Sequence, residues 1–466
     1  MNRAELESLD RVALLNLAAR AAQLEARNAE LETRLADMDR RFAELEARVF
    51  RGAAPFGRPE GKRSPSPKRP GRKGGHEGVF RTRPSDKEVD HWIEVLLEHC
   101  PHCGEGLAPE TDEVVEQTII DTPPVRPEVT RLVTHRNVCC RCGQHVASTH
   151  PHQVSTATGA AGTHLGARAL AFAAALNKAF GLTMRKSCAV LRELLGLSLS
   201  PGGLAQALAR MAARLEAEDE ALLEALKAEP VLHTDETSWW VGRSGFSLWV
   251  VTNRAGTCYR IVPSRSRAEA EALMGDYTGV LVSDCLNIYD NLTPNQHKCY
   301  AHHLKEISKA QEDPRAAASP YLHDLRMLLL TAMALKAGKA DLPAAVIANT
   351  RQALEASADR LLNSPRTEAN AAAAAPLEEK LRQRLFKQRD HLFTFLDHDA
   401  VDATNNLAER QLRPAVISRK LSCGNKTERG ARTWEVLTSL AATCRQAGIS
   451  FADFLAPRLA LAPSKS

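Results

Sequence analysis

No apolar run in the 466-residue chain is long enough to cross a membrane, and charged residues follow from Arg3 onward, so neither a membrane span nor a signal peptide is predicted. The chain also lacks a complete disulfide set, because its eleven cysteines are odd in number and four of them have the spacing of zinc ligands. These absences favour a reducing compartment, with the cytoplasm as the expected location. The chain is too long for one hydrophobic core, and about two to four domains are expected.

Acidic residues are nearly missing from residues 51–83, which contain ten Lys/Arg against Glu60 and Glu77. This segment carries +8 within a chain of net charge +5, so the remainder sums to −3. Its Pro, Gly and Ser content excludes a packed core, and 51–88 is predicted to be a basic linker. Such a segment neutralises phosphates, which predicts nucleic acid as a partner.

Within this linker, Arg69-Pro70-Gly71-Arg72-Lys73 resembles the short Arg/Gly/Pro arms that lie in AT-rich minor grooves. Arg69, Arg72 and Lys73 are therefore DNA-binding candidates. The alternative is a plain solvated linker that touches phosphates.

Apolar residues repeat with a seven-residue period over 14–49. The a positions hold Leu14, Ala21, Asn28, Leu35, Phe42 and Val49, and the d positions hold Leu17, Leu24, Leu31, Met38 and Leu45. Four g positions are Arg and four e positions are acidic. A parallel pair of helices places each g Arg opposite an e carboxylate, whereas an antiparallel pair places Arg near Arg and acid near acid. Asn28 at an a position favours two strands. Residues 1–50 are thus predicted to form a parallel, homodimeric coiled coil, with a helix packed on its own protein as the alternative.

Four cysteines form two C-x-x-C pairs, Cys100 with Cys103 and Cys139 with Cys142. Two such pairs supply four thiolates, which close a structural zinc site with no open position. Between the pairs, apolar and polar residues alternate around Val114, Ile119, Ile120, Val129 and Val133, which predicts short strands. Residues 89–152 are therefore predicted to be a zinc ribbon, in which His102 and His145 are the nearest substitute ligands.

Residues 158–228 are rich in Ala and Leu, and two amphipathic runs flank the turn residues at 198–203. A helix, a glycine-containing turn and a second helix are predicted. This pair is either a helix-turn-helix reader of DNA or simply two packed helices. Residues 313–395 are predicted to be a helical insertion, and 426–466 a C-terminal helical tail.

Two carboxylates are associated with predicted strands in 229–312. Asp235 lies in the first of three neighbouring antiparallel strands, the others covering 246–252 and 258–262. Alternation places His233 and Asp235 on one face and Glu236 on the other, so only one acid of the Asp235–Glu236 pair is expected to line a site. Asp284 ends a second buried strand, where α/β folds place their chemistry.

A third acid, Glu409, lies in a predicted helix within 396–425, where Asn405 is its i,i+4 neighbour. Arg410 and Arg413 border this carboxylate, and the chain stays basic beyond them. Arg410, Arg413, Arg419 and Lys420 are therefore further DNA-binding candidates. Acids of this kind suit two Mg²⁺ or Mn²⁺ ions that support phosphoryl transfer.

The order of these motifs resembles the DDE transposases of the insertion-sequence sixty-six family through nearly the whole chain. The matching elements are the coiled coil, Pro-Gly-Arg-Lys-Gly-Gly-His-Glu-Gly at 70–78, C-P-H-C-G, C-C-R-C-G, His-Thr-Asp-Glu-Thr at 233–237, Val-Ser-Asp at 282–284, Cys-Tyr-Ala-His at 299–302 and Asn-Asn-Leu-Ala-Glu-Arg at 405–410. The resemblance implies a ribonuclease H-like core and a metal-binding triad of Asp235, Asp284 and Glu409, with a helical insertion between the second and third acids.

The sequence departs from the family pattern after the motif cysteine. Tyr300 stands where Trp is usual, and His303-Leu304 replace basic residues, with Lys305 one step later. Cys299 and His302 are either half of a metal site or a structural cysteine beside a helix-cap or substrate-contacting histidine.

The predicted fold is therefore a multidomain α and α/β protein with a coiled coil, a zinc ribbon, a helical region and a ribonuclease H-like core that carries a helical insertion. The predicted function is Mg²⁺-dependent cleavage and strand transfer at the ends of an insertion sequence. The expected partners are DNA, a second copy of the chain or a larger assembly, and small companion proteins, in a nucleoid-associated cytoplasmic setting. The alternatives are a catalytically silent protein that binds the same ends, and a nuclease without strand transfer.

Overall fold

The computed structural model describes residues 82–460 apart from 96–98, 107–114, 124, 157–162, 315, 317–318 and 364–375, together with seven positions between 23 and 40. Those seven positions are helical, and the remainder of the predicted coiled coil lies outside the described residues. The basic arm with Arg69, Arg72 and Lys73 also lies outside them. The pairing of coiled-coil chains and the arm's contact with DNA stay predictions.

In its described residues, the predicted zinc ribbon has a short turn at each cysteine pair and one hairpin. Strands β1 (Arg136–Val138) and β2 (His145–Ala147) pair in antiparallel fashion around the second cysteine pair. The strands expected around Ile119, Val129 and Val133 are not formed by the described residues there, and these three side chains are 79–90% exposed. Alternation alone does not make a strand when no neighbouring strand accepts its backbone hydrogen bonds.

Four helices follow, where the Ala- and Leu-rich pattern predicted two helices joined by a glycine-containing turn. They are α1 (Ala167–Ala174), which continues into a π turn at Ala175–Ala179, α2 (Met184–Leu195), α3 (Pro201–Arg214) and α4 (Glu216–Lys227). Gly196 ends α2 in the left-handed conformation, with φ 62°, and the Ser200 hydroxyl caps α3 by accepting from the Gly203 amide at 3.0 Å. The helix, turn and helix are present, and reading of DNA by α3 stays a prediction.

A five-stranded mixed sheet forms the centre of the chain. Its strands are β3 (Val231–Trp239), β4 (Phe246–Thr252), β5 (Thr257–Val262), β6 (Val280–Ser283) and β7 (Asn295–Lys298), with α5 (Arg267–Met274) between β5 and β6. The order is β5-β4-β3-β6-β7, in which β3, β4 and β5 are antiparallel and β6 and β7 run parallel to β3. The predicted antiparallel trio is confirmed, and β3 is the central strand.

Helices cover both faces of the sheet and extend beyond it. After β7 come α6 (Tyr300–Ala310), α7 (Pro320–Gly338), α8 (Ala344–Asn363), α9 (Pro376–Lys387) and α10 (Thr394–Asp397), and then α11 (Asn406–Ser422), α12 (Glu428–Gln446) and α13 (Phe451–Leu459). Helices α7 to α10 build one core with α6 and the β6 side of the sheet. Helices α12 and α13 pack with α1 to α3 in a second core. In the described part of the chain, no helix has both the length and the apolar character that a membrane crossing requires.

A buried ion network ties α4, β5 and α12 together. The Asp219 carboxylate, whose side chain is fully buried, lies 3.0 Å from Arg260 and 3.1 Å from Arg432. Arg432 also pairs with Glu435 at 3.2 Å, and Glu435 accepts from the Ile261 amide of β5. Buried charges persist only when they are paired, so this network fixes α12 against the edge of the sheet.

Candidate active site

Two of the predicted acids meet where β6 ends beside the middle of the longer parallel strand β3. His233 of β3 is in register with Val282 of β6, and β6 ends one residue later. Asp284 therefore follows β6 at the height of Asp235 on β3. Oxygens of Asp235, Glu236 and Asp284 all lie within 4.8 Å of one another.

Glu236 is the third member of this acidic cluster. Its position contradicts the prediction that only one acid of the Asp235–Glu236 pair lines the site. Alternation does hold along β3, but β6 stops at Ser283 and leaves the edge of β3 without a neighbour beyond that point. Side chains on either face of β3 can then turn around this open edge toward Asp284. Sequence periodicity defines the two faces and does not show where the adjacent strand ends.

Glu236 is held in place by two donors. Its side chain is fully buried, Arg265 Nε donates to Oε1 at 2.7 Å, and the Tyr289 hydroxyl donates to Oε2. Tyr289 is itself buried against Trp249, with ring centroids 5.6 Å apart. Arg265 and Tyr289 had no motif that would have marked them in the sequence.

Burial and mutual repulsion disfavour the charged forms of carboxylates in the acidic cluster. Burial, followed by the charges of Glu236 and Asp284, raises the pKa of Asp235 well above its ordinary value. Burial and the charge of Asp284 likewise raise the pKa of Glu236, against the opposing hydrogen bonds from Tyr289 and Arg265. Carboxylates that repel one another in this way are stabilised by a shared cation.

A buried lysine at the end of β7 lies close enough to Asp284 for the two charges to interact. Lys298, which is 3% exposed at the end of β7, donates to the Ser283 hydroxyl at 3.3 Å and lies 3.6 Å from Asp290. Its ammonium is also 5.5 Å from the centre of the Tyr289 ring. Burial lowers the pKa of Lys298, and the carboxylate of Asp290 opposes this shift.

Glu409 reaches this region from α11, whose start is fixed by the buried residue Asn405. Asn405 Nδ2 donates to the Thr234 carbonyl of β3 at 2.7 Å, and Oδ1 lies 3.2 Å from His233 Nδ1. The Asn405 amide donates to Cys299 Sγ at 3.1 Å, and its carbonyl accepts from the Glu409 amide at 3.2 Å. Burial lowers the pKa of His233, so a neutral imidazole donates to Asn405. The predicted Asn405–Glu409 spacing thus fixes the first turn of α11 beside Asp235.

The structure does not place Glu409 in the same close group as the two aspartates. Its carboxylate lies with Cys299 and His302, all within 4.8 Å, and its charge contributes to the raised pKa of Asp235. Glu409 therefore lies next to the acidic cluster without completing it.

The basic candidates on α11 differ in their surroundings. Arg410 and Lys420 are exposed, and Arg413 is half-buried. Arg419 donates to Thr237 Oγ1 at 3.1 Å and to Ser238 Oγ at 2.8 Å, so its guanidinium holds α11 against β3. The Arg419 guanidinium is therefore already engaged within the protein, which makes Arg419 a weaker candidate for DNA contact than the exposed basic residues of α11.

The first cysteine of each C-x-x-C pair accepts hydrogen bonds from backbone amides two and three residues later. Amides of His102 and Cys103 lower the pKa of Cys100, and those of Cys142 and Arg141 lower the pKa of Cys139. Hydrogen bonds of this kind favour the thiolate that zinc requires. Two His/Cys/Asp/Glu groups of the described residues come within ligand distance, and the ribbon cysteines belong to neither, so a shared zinc ion stays a prediction.

The donor chemistry of the acidic cluster fits hard divalent cations, because carboxylate oxygens are the ligands of Mg²⁺ and Mn²⁺. A mixed sheet with helices on both faces and an acidic cluster where β6 ends defines an α/β protein with a candidate site for divalent cations. A family model described as Transposase IS66 family matches residues 162–433, more than half of the chain. The chain belongs to this transposase family, as its motifs predicted.

Two proteins of Sinorhizobium fredii are similar to this chain. Uncharacterized protein y4qI is 24% identical over 329 residues, which cover 63% of this chain and 58% of that protein. Uncharacterized protein y4jO is 32% identical over 83 residues, which cover 18% of this chain and 26% of that protein. The chain thus matches less than two thirds of the length of either relative.

Proposed function

We propose that this protein is a DDE-type DNA transposase that nicks the ends of an insertion sequence and joins the freed 3′-hydroxyls to target DNA. The observation that carries the proposal is the meeting of Asp235, in the middle of β3, with Asp284, at the end of the adjacent strand β6. Glu409 lies beside them on a helix that is fixed to β3, in a chain of a transposase family.

The sheet supports a ribonuclease H-like core. Three antiparallel strands lead into two strands parallel to the first, with that first strand in the centre and an acid on it. The helices of 313–395 separate the second acid from the third, as expected for an insertion in this core.

Asp235, Asp284 and Glu409 are the residues that would hold two Mg²⁺ or Mn²⁺ ions. When bound, such ions activate the attacking hydroxyl and stabilise the leaving oxygen of an in-line phosphoryl displacement. Glu236, held by Arg265 and Tyr289, supplies a further carboxylate, and its charge adds to the effect of burial in raising the pKa of Asp235. Asn405 positions Glu409 through its contacts with β3.

DNA is the proposed partner, contacted by the ribbon, the basic arm and the exposed Arg410. The proposed zinc ligands are Cys100, Cys103, Cys139 and Cys142. A parallel coiled coil pairs two chains, which would let one assembly hold both element ends, and small companion proteins complete the system. Cleavage is expected at the nucleoid in the cytoplasm.

Strand cleavage and joining of labelled element ends with Mg²⁺ or Mn²⁺ test the proposal. Wild type is expected to cut and join, while Asp235→Ala, Asp284→Ala and Glu409→Ala bind the ends and do neither. Asp276→Ala, an exposed acid of the same domain, is the matched control and should behave as wild type.

The outcomes separate the alternatives. Binding without cutting under either metal would favour a silent DNA-binding protein, and cutting without joining would favour a plain nuclease. Activity in any of the three acid variants would refute the assignment of that residue.

A further inference from the structure

Cys299, His302 and Glu409 form a second ligand set beside the acidic cluster. Cys299 precedes α6 as its N-cap, His302 lies in the first turn of α6, and Glu409 lies in the first turn of α11. One ligand atom from each lies within 4.8 Å of the other two. His302 and Glu409 are 107 residues apart in sequence. The starts of the two helices therefore bring together a thiol, an imidazole and a carboxylate from distant parts of the chain.

The distance between the His302 and Glu409 side chains suits two ligands of one metal ion better than a hydrogen bond between them. His302 Nδ1 is buried and has no hydrogen-bond partner among the described residues. It lies 3.9 Å from Glu409 Oε1, which is too long for a hydrogen bond. With metal–ligand bonds of about 2.0–2.3 Å, two ligands at tetrahedral corners lie about 3.3–3.8 Å apart. A small adjustment of either side chain would bring both onto a single ion.

The environment of Cys299 resembles that of the predicted zinc ligands. Its sulfur accepts from the Asn405 amide at 3.1 Å, and the amides of Ala301 and His302 also act on it. Cys100 and Cys139 have the same arrangement of amides two and three residues ahead. Burial raises the pKa of the metal-free Cys299 thiol to about 12, and these N–H groups oppose that shift, so they would support the thiolate once a cation replaces its proton.

The set is also accessible to ions from solvent. Cys299 is fully buried, but the side chains of His302 and Glu409 are 35% and 31% exposed. Three protein ligands leave a fourth tetrahedral position open for water. A thiolate and an imidazole select Zn²⁺ over Mg²⁺, which prefers oxygen ligands and octahedral geometry.

We propose that Cys299, His302 and Glu409 bind Zn²⁺ at a site that shares Glu409 with the Mg²⁺ centre. The binding of Zn²⁺ stands on the geometry alone. Its consequence rests on the proposed function: a Glu409 carboxylate engaged by Zn²⁺ is withdrawn from Asp235 and Asp284, so Zn²⁺ inhibits Mg²⁺-dependent strand cleavage.

Titration of the metal-stripped full chain with Co²⁺ tests the site directly, since thiolate ligation of Co²⁺ gives a near-ultraviolet charge-transfer band. Wild type is expected to bind one equivalent more than Cys299→Ser or His302→Ala, because any ribbon site is common to all of them. Cys444→Ser, which removes a buried thiol of α12, is the matched control and should keep the wild-type stoichiometry. His302→Ala, at a half-exposed position, decides the question if Cys299→Ser does not fold. Equal stoichiometry in wild type and His302→Ala would overturn the site.

Zinc inhibition of cleavage tests the sharing of Glu409. At fixed Mg²⁺, half-inhibition of His302→Ala should need at least about tenfold more Zn²⁺ than wild type, each measured against its own uninhibited rate. His323→Ala, an exposed histidine on α7, should keep wild-type sensitivity. Equal sensitivity of wild type and His302→Ala would refute the sharing. If wild type does not cleave DNA, the transposase proposal fails, while the Co²⁺ titration still decides the metal site.

Discussion

Replacing Asp235 by Asn should stabilise the metal-free protein while abolishing its response to Mg²⁺. The amide keeps the oxygen that accepts from the Glu236 backbone at 2.9 Å, so local geometry is preserved. It removes one of three carboxylates whose oxygens lie within 4.8 Å of one another. Asn therefore removes both the cost of burying the Asp235 charge and the repulsion of that charge by Glu236 and Asp284.

The size of this effect follows from the separation of the carboxylates. Two unit charges 4.8 Å apart repel by about 3.5 kcal/mol at an effective dielectric constant of about 20, and by about 0.9 kcal/mol in bulk water. Protonation of Asp235 relieves part of the repulsion at its own cost. A gain of about 1–3 kcal/mol at pH 7 is therefore expected, or about 2–12 °C in the melting temperature of the core.

The pH dependence has a defined sign. Because the pKa of Asp235 is raised in the folded state, folding binds a proton, and wild-type stability falls as pH rises from the ordinary Asp pKa toward the raised value. Asn does not titrate, so the advantage of Asp235→Asn should be absent near pH 3 and grow with pH. Binding of Mg²⁺ should stabilise wild type and so remove the difference in unfolding free energy between wild type and Asp235→Asn.

Thermal unfolding of the full chain with and without Mg²⁺, between pH 4 and 8, measures these differences. Asp276→Asn, which removes an exposed carboxylate, is the control and should shift neither stability nor the Mg²⁺ response. A destabilised Asp235→Asn, or one whose melting temperature still rises with Mg²⁺ as in wild type, would show that the carboxylates do not form a mutually repelling cation site.

Two further substitutions test contacts that hold the core together. Asn405→Ala leaves buried partners on β3 unsatisfied and should cost about 2–4 kcal/mol in unfolding free energy, with a larger loss of cleavage than Asn406→Ala on the half-buried next position. Equal effects of these two variants in denaturant titration and cleavage assays would argue against a positioning role. Arg432→Met removes one of two cations from buried Asp219 and should cost about 2–3 kcal/mol, because Arg260 still pairs with that carboxylate. Arg429→Met on the exposed side of α12 is its control, and equal stability of the two variants would contradict the buried-network interpretation.

The edge strand β7 shows a limit of prediction from pattern. Its residues, Asn-Gln-His-Lys at 295–298, are polar and give no apolar alternation, so no strand was predicted there. Three of the four are nonetheless buried. His297 stacks near Tyr300 and Phe395, with ring centroids 5.5 and 4.9 Å apart, so α10 of the helical insertion covers a strand that does not look buried in sequence.

Local sequence was sufficient for the elements whose apolar periodicity matches their burial. The strands β3 to β6, the helix pair around Gly196 and the family to which the chain belongs could all be predicted, because each depends on residues close together in sequence. The same local signals identified Asp235, Asp284 and Glu409 as candidates.

Only the tertiary structure decided which of these acids meet. Asp284 and Glu409 are 125 residues apart, and their separation in space depends on how α11 is fixed to β3 by Asn405. Glu236 joins the acidic cluster because β6 ends at Ser283, and Glu409 lies with Cys299 and His302 because α6 and α11 begin side by side. Periodicity determines which face of an element is apolar, whereas the distance between two carboxylates is set by packing between elements far apart in the chain.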